Sequence, residues 1–234
     1  MDVKIGFILI FLIEFFSGII VGLPTGPSAL NVTYNETGSS STAPWMVNIS
    51  GAYVAEMNIS SISQNSRWKG FVGWVNGKFT LDDSSGSTVY DWSSSTTGGE
   101  VYATRSSGSI EWENISCATT SNINNEDTAL QHSGGDNISA TFSGTNTETY
   151  VVASFSINVG DCFASNAYID NASQSSNFEE IVLFDNTDIV FATEIEDDVG
   201  GYDGDTYDFQ MIVPDYGNES ISGNVLYYLY VEID

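Results

Sequence analysis

From residue 45 onward the chain is written in short runs of Val, Ile, Tyr, Phe and Thr, separated by clusters of Gly, Asn, Asp and Ser, and no stretch keeps a sustained 3.6-residue period. That alternation marks strands rather than helices. The spacing predicts strands at 45–60, 87–92, 100–105, 138–143, 149–158, 162–169, 178–184, 188–195, 206–213 and 224–233. The strongest local signal is Phe71-Val72-Gly73-Trp74-Val75, then Asn76-Gly77, then Lys78-Phe79-Thr80-Leu81, because Asn-Gly supplies the two positive-φ positions of a type I′ hairpin turn. Phe79 and Leu81 then share one face and Thr80 takes the other. The run Val225-Leu226-Tyr227-Tyr228-Leu229-Tyr230-Val231 is nearly continuous in β-formers and reads as a central strand. So many strands are expected to bury one face each in an all-β, antiparallel two-sheet β-sandwich, immunoglobulin-like or jelly-roll-like, with a closed barrel as the runner-up.

Ahead of this body lies an apolar run from Ile5 to Gly22, interrupted by Glu14 and Ser17 and followed by the breaker string Leu23-Pro24-Thr25-Gly26-Pro27. Residues 1–22 are therefore expected to be a signal peptide or a membrane-anchor helix, 23–44 a stalk rich in Ser, Thr and Asn, and 45–234 the β-sandwich domain. Glu14 is the odd residue in the run, since a carboxylate at the centre of a spanning helix costs about 2.5–3.5 kcal/mol. A cost of that size invites a partner. Lys4 and Gly6 ahead of Phe7 resemble the short charged leader of type IV pilin-like subunits, although Ile5 separates the Lys from the Gly. Export to the cell surface follows on either reading, with the chain held once in the membrane at its N-terminus or released by cleavage.

Charge narrows the partners. Thirty-one acidic residues stand against five basic ones, Lys4, Arg67, Lys69, Lys78 and Arg105, for a net charge of −26. No basic patch exists to neutralise phosphates, so nucleic-acid binding is excluded as an expectation. The acidic body would also be repelled by an anionic membrane, which leaves the N-terminal helix as the membrane contact. Two explanations of the charge stay open: molar salt, which shortens the screening length to about 3 Å and relieves self-repulsion, or calcium held by the carboxylates.

Cys117 and Cys162 are the only cysteines, an even count in an exported chain, and are expected to form a disulfide. Asn-x-Ser/Thr triplets at Asn31, Asn35, Asn48, Asn58, Asn114, Asn137, Asn171 and Asn218 are candidate glycosylation sites. The sole histidine, His132, lies in a polar stretch without a nucleophile-elbow motif and reads as an exposed loop imidazole. No zinc spacing, phosphate loop or dinucleotide fingerprint accompanies it, so no catalytic residue and no cofactor are assigned. The densest acidic stretch offers Asp197, Asp198, Asp203, Asp205 and Asp208 as calcium-ligand candidates, against the alternative of a solvated loop.

Two stretches, EMNISSISQNSRWKGFVGWVNGKFTLDDSSGSTVYDW with GEVYATR after it and YDFQMIVP near the C-terminus, resemble a group of exported archaeal proteins of halophilic and small-genome lineages, some of which begin with a pilin-like segment. The resemblance spans most of residues 45–234 and implies a cell-surface setting, with no activity, cofactor or catalytic residue. The expectation is a non-enzymatic envelope or adhesion protein that meets other surface proteins or itself. The alternative is a type IV pilin-like filament subunit polymerising through its N-terminal helix.

Overall fold

The computed structural model describes residues 23–35, 46, 48, 50–52, 54–58, 65–93, 98–166, 168, 169, 172, 173, 177–217 and 224–233. The expected N-terminal helix at 1–22, Trp45, Asn171 and Asn218 lie outside these residues. Among the described residues no helix is long and apolar enough to cross a membrane.

Strands dominate, and every pairing is antiparallel. In chain order they are β1 (Trp68–Gly73), β2 (Lys78–Asp82), β3 (Thr88–Ser93), β4 (Gly99–Thr104), β5 (Ser116–Cys117), β6 (Gly144–Thr145), β7 (Tyr150–Val152), β8 (Phe155–Ile157), β9 (Phe163–Ser165), β10 (Tyr168–Ile169), β11 (Ala172–Ser173), β12 (Glu180–Phe184), β13 (Ile189–Glu194), β14 (Val199–Gly200), β15 (Thr206–Tyr207), β16 (Phe209–Pro214) and β17 (Tyr228–Ile233). Helices α1 (Thr120–Ala129) and α2 (Ile138–Thr141) fall between β5 and β6. The main sheet runs β17-β4-β13-β12-β9-β6, with β5 sharing the outer edge of β12. The chain is thus all-β in class, with antiparallel sheets.

β4, β12 and β13 are almost wholly buried, which is why their sequences read as near-continuous runs. Alternation still sorts their side chains. Val101, Ala103, Val182 and Phe191 point to one face, where they pack with Ile123 and Leu130 near α1, Ile138 and Phe142 near α2, and Met211 and Val213 of β16. Tyr102, Ile181, Leu183, Val190 and Ala192 point to the other, against Trp112, Ile115, Tyr150, Val152 and Ile157. One face is covered by the two helices and the β1–β16 ribbon, the other by the β7–β8 hairpin and the single turn Trp112–Asn114. Each fully buried Phe or Leu in these layers contributes about 1.5–3 kcal/mol.

The disulfide joins Cys117 of β5 to Cys162, just ahead of β9. β5 and β9 lie end to end along the same edge of β12, so the bond fastens two strands too short to hold by their ladders alone. Buried Asn146 completes the fastening: its amide donates to the carbonyls of Glu148 and Asn158 at 2.7 and 2.8 Å, and its Oδ1 accepts from the Cys162 N–H at 2.8 Å.

Several expected elements differ. β1 pairs along all six residues with β16, and β2 pairs with β3, so the hairpin centred on Asn76-Gly77 does not form. Neither residue has a positive φ, the Val75 N–H goes to the Asp208 carboxylate at 2.7 Å, and Gly77 packs against the Ile233 side chain. Tertiary pairing overrides the turn signal. Residues 138–143 begin as α2 rather than a strand, because Asn137 caps the Ala140 N–H and Asp127 takes those of Ile138 and Ser139. Helix α1 has too few apolar positions for its period to register, and forms on a capping box between Thr119 and Asn122. Among the described residues β17 is an edge strand, not a central one: beyond its ladder with β4 its one further backbone partner there is Thr25, which exchanges two hydrogen bonds with Val231 at 3.0 and 2.9 Å. Within the predicted strand 45–60, the described residues lie outside any helix or strand.

Candidate functional site

The structure scatters the acidic loop. Asp203 accepts from the Tyr207 hydroxyl at 2.9 Å and the Asp205 N–H at 3.0 Å, and Asp208 is committed to Val75 and Asp198 N–H groups. Asp197, Asp198 and Asp205 stand exposed. Among the described residues no three of His, Cys, Asp and Glu gather where a metal ion could sit. His132 is buried rather than exposed: its Nε2 lies 2.5 Å from the Asp215 carbonyl and so carries the proton, while Trp68 packs edge-on against the ring at 5.8 Å. Of the candidate glycosylation sites, Asn31, Asn35, Asn48, Asn58 and Asn114 are exposed and Asn137 is half-buried.

What the sequence did not reveal is a row of glutamates across the main sheet. Glu232 of β17 pairs with Glu100 of β4, and Glu100 with Glu194 of β13. Glu179, one residue before the Glu180–Thr193 pair, continues the row. Only strand register brings these together. Glu100, Glu179 and Glu232 are buried beneath the β7–β8 hairpin, whose polar groups answer them. The Tyr102 hydroxyl donates to Glu232 at 2.7 Å, the Ala153 N–H reaches both Glu232 oxygens at 3.1 Å, and the Val151 N–H reaches Glu100 at 3.3 Å. Thr147 gives Glu179 its N–H at 2.8 Å and its hydroxyl at 2.7 Å. Burial, then the charges of Glu148 and Glu196, pushes the Glu194 carboxyl up to about 7. Burial and the neighbouring Glu100 and Glu232 hold the Tyr102 phenol far above its ordinary range. The row acts as a set of acceptors that docks the hairpin.

On the opposite face of the sheet, burial raises the Glu180 carboxyl well above the usual carboxylate range. One of its oxygens accepts from the Ile212 N–H at 2.9 Å; the other has no partner among the described residues, and the side chain borders a cavity of about 30 Å³ lined by Ser165, Phe178, Gln210 and Met211. That volume accommodates a water molecule and no substrate.

The accessible chemistry lies on the β2–β3 hairpin. Its register places Phe79 beside Trp92 and Leu81 beside Tyr90 on one face, and Thr80 beside Asp91 on the other. The four apolar residues are 43%, 50%, 55% and 56% exposed for Phe79, Trp92, Leu81 and Tyr90, and the Tyr90 and Trp92 rings meet edge-on at 4.6 Å. The opposite face carries the Lys78–Asp91 ion pair at 3.1 Å. The result is an amphipathic ribbon with its apolar side turned to solvent. Comparison with protein families, curated proteins and solved structures finds no match to the chain.

Proposed function

We propose that the chain is a non-enzymatic module displayed outside the cell, an envelope or adhesion component that works by binding through the apolar face of β2–β3. That face carries the reading, since a monomer rarely leaves contiguous large apolar side chains in water without a use for them. The Cys117–Cys162 disulfide suits an oxidising, extracellular-type compartment. In this reading the body is a modified sandwich: the main sheet is one layer, and the β1–β16 ribbon with the two helices replaces a full second sheet. Residues 1–22 deliver it to the surface of a halophilic archaeon and either anchor it or are removed, and exposed Asn31 and Asn35 are the first residues to carry glycan. Protease shaving of intact cells with mass spectrometry of the native N-terminus tests this. Release of peptides from residues 65–93, with a start at Met1 or Leu23, supports display; protection of the whole body in intact cells overturns it. The competing filament reading draws on Lys4, Gly6 and Glu14, and requires a chain that starts at Phe7 in sheared filaments.

A further inference from the structure

The β1–β16 ribbon shares no ladder with the main sheet among the described residues, so its attachment rests on side chains. Met211 and Val213 sink into the core from β16, and two neighbouring residues of the sheet grip its backbone. Glu180 of β12 and Thr193 of β13 are a register pair. The Glu180 carboxyl accepts from the Ile212 N–H at 2.9 Å, and the Thr193 hydroxyl donates to the Gln210 carbonyl at 3.4 Å. The two side chains stand where a ladder would.

One of the two titrates. Glu180 is 3% exposed, and a single N–H answers its two oxygens, the second having no partner among the described residues. Its surroundings hold no counter-charge. β9 presents Ser165, β13 Thr193, and β16 Gln210, Met211 and Ile212, while Phe178 lines the same cavity. The ionisable side chain in electrostatic reach is Tyr227, a phenol whose hydroxyl donates to the Pro214 carbonyl at 2.7 Å. The four described Lys and Arg residues pair with other carboxylates. A carboxylate placed in this way gives up its charge by binding a proton, because burial penalises the ion and not the acid. The acid then has an O–H to place, and the cavity of about 30 Å³ that the side chain borders accommodates a water to accept it.

We infer that Glu180 is a proton-operated latch: as the neutral acid it holds the β1–β16 ribbon against the main sheet, and on losing its proton it draws water into the seam and lets the ribbon lift. Because the carboxyl is raised in the fold, the latch is closed on the acid side and opens as pH climbs past the folded value. The movement reaches the approach to β2. The Asp208 N–H donates to the Gly73 carbonyl at 2.8 Å, and the Asp208 carboxylate accepts from the Val75 N–H at 2.7 Å, so a lifting β16 carries with it the segment that leads into the β2–β3 hairpin.

The test is amide hydrogen exchange of the full chain in mild detergent and molar KCl at pH 5, 7 and 9, with each rate divided by its intrinsic rate at that pH. Protection of residues 209–214 is expected to fall relative to β12 and β13, by about tenfold for each pH unit beyond the folded titration point. Glu180→Gln keeps an oxygen for the Ile212 N–H and an N–H for the cavity, so it is expected to hold its pH 5 protection at pH 9. Glu194→Gln, on the opposite face, is expected to leave the response of the seam intact, which separates the latch from the glutamate row. The same Glu194→Gln chain is expected to show an infrared carboxylic-acid band at pH 7, a reading that needs no Glu180 variant to fold. Seam protection that does not change with pH, a pH response that survives Glu180→Gln or vanishes in Glu194→Gln, or the absence of the acid band overturns the proposal.

Discussion

A carboxyl pushed up to about 7 binds its proton more tightly in the folded chain than in the unfolded one, where glutamate titrates near about 4.3. Glu194 therefore contributes stability that is fully present below the unfolded value and is lost as pH rises toward 7. Buried Glu180, also raised, acts in the same direction. Thermal melts are expected to show a higher Tm at pH 5 than at pH 8, and Glu194→Gln is expected to raise Tm at pH 8 and flatten the profile; a profile unchanged by that substitution contradicts the assignment. At Gly99 the constraint is steric: φ is +114°, and an added Cβ would meet the carbonyl of Glu232 across the strand pair. Gly99→Ala is expected to cost about 2 kcal/mol or more in chemical denaturation, by strain and by loosening the β17 edge. Neither residue stands out in the sequence, because Glu194 matters through Glu148 and Glu179, which only the fold brings near it, and Gly99 through one carbonyl.

At the scale of elements, legibility followed pairing. The apolar runs of β12 and β13 are readable because each strand is covered from both sides and its composition says so. The turns were not. Asn76-Gly77, the best type I′ signal in the chain, adopts no such turn, while Ala153-Ser154, with no such signal, joins β7 to β8 with φ of +49° and +86°. The Ala153 N–H is held by Glu232, so a long-range acceptor specifies the turn. Exposed Ser154 is left in the left-handed region, and Ser154→Gly is expected to stabilise the fold by about 1 kcal/mol in urea unfolding. Helix α1 is not legible in the hydrophobic pattern because its signal is a cap and not a stripe. Thr119→Ala should cost about 1 kcal/mol, and no loss would show that packing of Ile123 and Leu130 suffices without the cap.

Over the whole molecule, charge is arranged rather than balanced. Each of the four described Lys and Arg residues holds a carboxylate: Arg67 with Asp136, Lys69 with Asp215, Lys78 with Asp91 and Arg105 with Glu126. Arg67–Asp136 and Arg105–Glu126 tie the ends of β1 and β4 to the helical layer and its loops, and Lys69–Asp215 ties β1 to the end of β16, all three partly out of solvent, where salt weakens them less than an exposed pair. The excess carboxylates also repel one another, so Tm is expected to rise steeply with KCl; full stabilisation by micromolar calcium in low salt would instead favour the metal reading. The all-β class is legible from the short runs between turn clusters and the cysteine pair from the count of two, whereas the layering is not, because sequence pattern does not say which edge a strand will find. The disulfide has one more consequence, for a protein held at one end and tugged at the other. Cys117 and Cys162 are 45 residues apart in sequence but 4.9 Å apart between their Cα atoms, so a pull along the chain crosses that short bond and bypasses both helices and the β7–β8 hairpin. The oxidised chain stretches roughly 150 Å less than the reduced one, taking about 3.4 Å for each residue in the ring, and the part that docks on the glutamate row stays out of the path of the load.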